Sequence, residues 1–77
     1  MVITGSVYEK QEQEIALVEV KEVGNYKFIE VSREGLLVIK FPLKKTVDTN
    51  EINLRTANIV NQTGLVENPV RVEVTET

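Results

Sequence analysis

Seventy-seven residues make one small domain, because a chain this short buries only about 60% of its unfolded surface and cannot be divided into two cores. Hydrophobic residues at 42% and charged residues at 27% exclude the apolar-poor, charge-rich composition of disordered chains. A net charge of −3 disfavours general binding to nucleic acid, where Lys and Arg must neutralise phosphates.

Val2 to Glu9 alternates weakly and reads as a first strand, followed by the polar stretch EKQEQE from Glu9 to Glu14, a loop or frayed strand end. Ile15 to Val23 is rich in β-branched residues and ends at Gly24-Asn25, where Gly can supply the positive φ of a type II′ turn. Tyr26 to Ser32 returns as the partner strand. Arg33 to Gly35 then reads as a three-residue loop with Gly in the left-handed position, and a further strand runs from Leu36 to Leu43.

The period-two rule assigns Leu37, Ile39, Phe41 and Leu43 to the core face of that last strand. Its other face begins with Leu36 and Val38. The preceding strand is mixed too, with Tyr26 and Phe28 on one face and Ile29 and Val31 on the other, while Ala16, Val18 and Val20 oppose Ile15 and Leu17 on the strand before. Strands buried on both faces read this way.

From Lys44 to Gly64 two readings compete. Asp48 with Glu51 resembles a capping box and Gly64 can close a helix, but Asn50, Asn53, Thr56, Asn58 and Asn61 are poor helix formers. The spread of Ile52, Leu54, Ala57, Ile59 and Val60 around a helical wheel tips the reading toward a strand over Ile52 to Val60, with a turn at Asn61 to Gly64 and an extended stretch from Leu65 and Val66. After Pro69, Val70 to Thr75 alternates cleanly, with Val70, Val72 and Val74 inward.

The chain has no His and no Cys, which removes imidazole bases, thiolate nucleophiles and the usual zinc ligands. The acidic side chains read as solvated surface groups rather than a catalytic pair. Asp48 and Asn50 open like a calcium loop, but Ile52, Asn53 and Ile59 stand where that loop needs a ligand, a Gly and a bidentate Glu. Asn61 to Thr63 forms a glycosylation sequon that reads as a turn. Lys40, Lys44 and Lys45 form the one basic cluster, a rim that keeps a strand end from sticking. Neither a catalytic residue nor a cofactor or metal ligand is expected, and no small-molecule substrate is evident.

Gly35, Leu37, Ile39 and Pro42 in EGLLVIKFPLKK resemble the G-x-L-x-[IV]-x-x-P pattern near the end of the α-crystallin domain of small heat-shock proteins, and Val70-Arg71-Val72 is similar to their C-terminal anchor tripeptide. The resemblance implies an oligomeric chaperone or a fragment of one. The spacing departs from that family, since 34 residues precede Gly35 and 27 separate Pro42 from the tripeptide.

These readings lead to an all-β or mostly β domain spanning 1–77: five to six short antiparallel strands in a meander-based small sandwich or barrel, with one short helix within 48–63 as the alternative to a strand. Small folds usually need a staple. Without Cys or His, self-association is the one left, through an apolar sheet face of Ile29, Val31, Leu36 and Val38. The expected function is therefore a non-enzymatic structural or protein-interaction module that self-associates as a homo-oligomer. The rival is a nucleic-acid-associated or regulatory protein using Lys40, Lys44, Lys45 and Arg55. No membrane-spanning run or secretory signal is visible, and the lack of Cys fits the cytoplasm.

Overall fold

The computed structural model describes residues 3–9, 13–64 and 69–76. Two tight turns generate its meander. Gly24, at φ +60°, turns β2 (Gln13–Val23) into β3 (Tyr26–Arg33), and Glu34 and Gly35, at φ +54° and +78°, turn β3 into β4 (Leu36–Leu43). The second loop thus has two residues rather than three, and both adopt the left-handed conformation that the twist of a two-residue hairpin demands. β1 (Ile3–Glu9) pairs with the far side of β2, and β5 (Arg71–Glu76) pairs with β1. All pairings are antiparallel, in the order β4-β3-β2-β1-β5.

The register puts apolar residues in rows across one face. Phe41, Ile29, Val20 and Ile3 stand side by side, as do Ile39, Val31, Val18 and Gly5, the last beside Val74. Ile29, Val31, Val18 and Val7 are fully or almost fully buried there, each contributing about 1.5–3 kcal/mol by leaving water. Gly5 has a steric reason to be Gly. A Cβ at that position would lie 2.0 Å from the Glu73 carbonyl oxygen, so β5 can approach β1 this closely only over a residue without a side chain.

The second layer is one helix, α1 (Thr49–Gln62). The strand expected over Ile52 to Val60 is overturned, and the helix expected after Asp48 is what forms. Asp48 caps it by accepting the Glu51 N–H at 2.8 Å. Val47 and Ile52, both buried, bracket the cap as a hydrophobic staple. Ile52, Thr56 and Val60 recur every fourth residue and form the buried stripe. At the other end Thr63 donates its N–H to the Ile59 carbonyl and its hydroxyl to that of Val60, and Gly64 leaves the helix at φ +74°. Asn61 and Gln62 therefore complete a helical turn instead of forming a loop.

β4 and β5 remain as the two edges of a single sheet. α1 packs closest to β5, where the Asn53 side-chain oxygen accepts the Val74 N–H at 3.0 Å. The stretch from Leu65 lies outside the described residues, as does Val2.

Candidate functional site

Opposite the helix, the sheet leaves a face with no layer over it among the described residues. Its rows follow from the same register: Glu73, Ser6, Leu17, Ser32 and Leu37 in one, Thr75, Thr4, Glu19, Glu30 and Lys40 in the next, then Lys21, Phe28 and Pro42, and finally Val23 beside Tyr26. Charge is neutralised locally across the middle. Lys21 donates to Glu30 at 2.7 Å and lies 4.0 Å from Glu19. That hydrogen bond, then the charges of Glu30 and Glu19, raise the Lys21 pKa above its ordinary 10.5. Arg71 pairs with Glu73 and lies over the Tyr8 ring at 4.7 Å. Ser6 donates to Glu14 at 2.8 Å.

Two hollows flank this charged band. One, of about 490 Å³, is a trough with hydroxyl groups from Thr4, Ser6, Ser32 and Thr75 and carboxylates from Glu19 and Glu73. The other, of about 550 Å³, is an apolar cleft between Val23, Tyr26, Phe28 and Pro42, with Lys27 and Lys40 at its rim. The Lys40 ammonium sits 4.5 Å above the Phe28 ring, a cation–π contact that covers a ring face otherwise open to stacking. Tyr8 is covered in the same way by Arg71, whereas Tyr26 is 75% exposed.

The four residues expected to form an interface are split. Ile29 and Val31 are 0% exposed, packed into the protein's own core, and have no surface left for another subunit. Leu36 and Val38 are 70% and 39% exposed. The cause is register: Ile29 stands opposite Phe41 and Val31 opposite Ile39, on the face the helix covers. A bulge then intervenes, with Ile39 opposite Val31 but Leu37 opposite Ser32, leaving Val38 as the extra residue. One extra residue reverses the alternation, so Leu37, expected in the core, is carried to the open face and is 53% exposed.

Leu36, Leu37 and Val38 thus form an exposed apolar corner on β4, and no described strand pairs with the outer side of that strand. Lys40, Lys44 and Lys45 are exposed toward the other end of the same edge. Arg55 does not join them: it lies in α1, with its guanidinium 3.8 Å from Glu51. Among the described residues no three His, Cys, Asp or Glu side chains gather as a metal cluster, and no helix is long and apolar enough to cross a membrane.

No family model matches this chain, and neither does any curated protein or solved structure. Sequence reasoning missed Leu37 and the apolar cleft. The cleft had a signal in Tyr26, Phe28 and Pro42, which fall on one face once the Gly24-Asn25 turn sets the register. The bulge that exposes Leu37 had none.

Proposed function

We propose that this chain is a non-enzymatic protein-interaction module that self-associates by pairing β4 with β4 of a second copy. The observation that carries the reading is the contrast between the edges: β5 lies against α1 and gives its Val74 N–H to Asn53, whereas β4 presents Leu36, Leu37 and Val38 with no described strand beside it. Exposed apolar edges are the template for strand addition. The helix against β5 also disfavours head-to-tail growth, so the assembly is a closed twofold dimer rather than a fibre.

Three partly exposed side chains yield a few kcal/mol on burial, against an association cost of about 4–15 kcal/mol. Backbone hydrogen bonds along the strand supply the remainder, and the dimer is weak, with Kd on the order of 10 μM to 1 mM. The absence of Cys suits such a module to the cytoplasm.

Sedimentation across that concentration range tests the reading. The expected mass rises from 8.7 kDa toward twice that value, and Leu36→Lys holds it at the monomer. A single 8.7 kDa species at every concentration removes self-association.

A further inference from the structure

We infer that the lysine-bearing end of β4 accepts an extended acidic segment of a partner protein, added as a strand along the β4 edge with one apolar side chain in the Tyr26–Phe28–Pro42 cleft. This rests on the reading of β4 as the docking edge and names a chemistry for what docks there.

Charge identifies the occupant. In a chain of net charge −3, Lys21, Arg55 and Arg71 each face a carboxylate. Lys44 and Lys45 are exposed and face none among the described residues, and the Lys40 ammonium lies over Phe28. The unmatched positive charge therefore collects where the sheet edge is open and where an apolar cleft of about 550 Å³ adjoins it. Backbone groups of β4 supply pairing except at Pro42, which has no N–H to donate, the cleft supplies a socket for an alternate side chain, and the lysines select carboxylates.

A small amphiphile fits less well, and a second copy satisfies the strand edge but not its lysines, so the acidic segment competes with self-pairing there. The cleft is a shallow surface hollow, and sites for small amphiphiles bury most of their ligand. A second copy paired antiparallel brings Arg33 and Glu34 toward these lysines, and the charges of that pair cancel.

The test uses the intact chain and two labelled synthetic peptides. In one, Val and Ile alternate with Asp and Glu around a central Phe; in the other, Lys replaces each acid. Fluorescence anisotropy is expected to show saturable binding of the acidic peptide, at least about tenfold tighter than the basic one. That binding should fall about tenfold in Lys44→Glu/Lys45→Glu and severalfold as salt is raised. Lys44→Gln/Lys45→Gln, which removes charge without reversing it, is expected to fall between. Equal binding of both peptides, or binding indifferent to these substitutions, overturns the inference. No acidic-peptide binding by protein that still dimerises overturns it and leaves the self-association reading standing. No binding by protein that stays monomeric removes both.

Discussion

At one edge of the sheet, Val74 donates its N–H to Asn53 and the strand lies against α1; at the other, Leu36, Leu37 and Val38 project from a strand with no described strand paired beyond it. Both edges carry apolar residues, so composition does not separate them. What separates them is the crossover. The chain leaves β4, runs through α1 and returns beside β1 as β5, and the helix covers the edge it delivers rather than the edge it departs from.

The strongest way to break this contrast is to thin the cover. Ile52 lies on the buried face of α1 and is fully buried, and Ile52→Ala is expected to cost about 3 kcal/mol of stability by chemical denaturation. Leu36→Ala on the open edge should change the monomer's stability by less than about 0.5 kcal/mol, while weakening any dimer. Equal costs at the two sites would mean that β4 is as sheltered as the helix.

Removing the seal alone is milder. Asn53→Ala deletes the acceptor for the Val74 N–H, at an expected cost of about 1 kcal/mol, and amide exchange at Val74 should accelerate. The variant then has two exposed edges and should form larger assemblies than the wild type.

Thr56 sharpens the comparison in the opposite direction. Its hydroxyl is buried in the helix–sheet interface without a hydrogen-bond partner. Thr56→Val keeps the shape and removes the unsatisfied group, so thermal unfolding should show a gain of about 1 kcal/mol.

The smallest effect belongs to the open face. Lys21 has its pKa raised by Glu30, so its contribution is fully present below its unfolded value near 10.5 and is lost as pH rises through the higher folded value. The stability difference between wild type and Lys21→Met should therefore shrink only at strongly alkaline pH. A difference that disappears near neutrality would contradict the pairing.

Much of the architecture was legible in the residues. Gly24 and Gly35 punctuate strands whose boundaries fall within a residue or two of expectation, and Val72 and Val74 point inward as their alternation requires. The helix was harder to read because its Asn residues carry poor propensity, yet Asn53 has a tertiary task that outweighs it. Val47 and Ile52 flanking Asp48 were the overlooked local signal. The candidate site was legible only in part: Leu36 and Val38 are exposed, whereas Ile29 and Val31 are core, because sequence gives the parity of a strand but not which of its two faces a distant helix will cover. The bulge at Val38 depends on pairing with β3 and leaves no mark in composition.

Residue-resolved amide exchange on the wild-type chain, at dilute and at near-millimolar concentration, tests the difference between the edges most directly. The account predicts a Val74 amide that exchanges slowly at both concentrations, and outward β4 amides that exchange fast when dilute and slow as concentration rises. Outward β4 amides that are already slow in dilute solution, or that stay fast at every concentration, would contradict it.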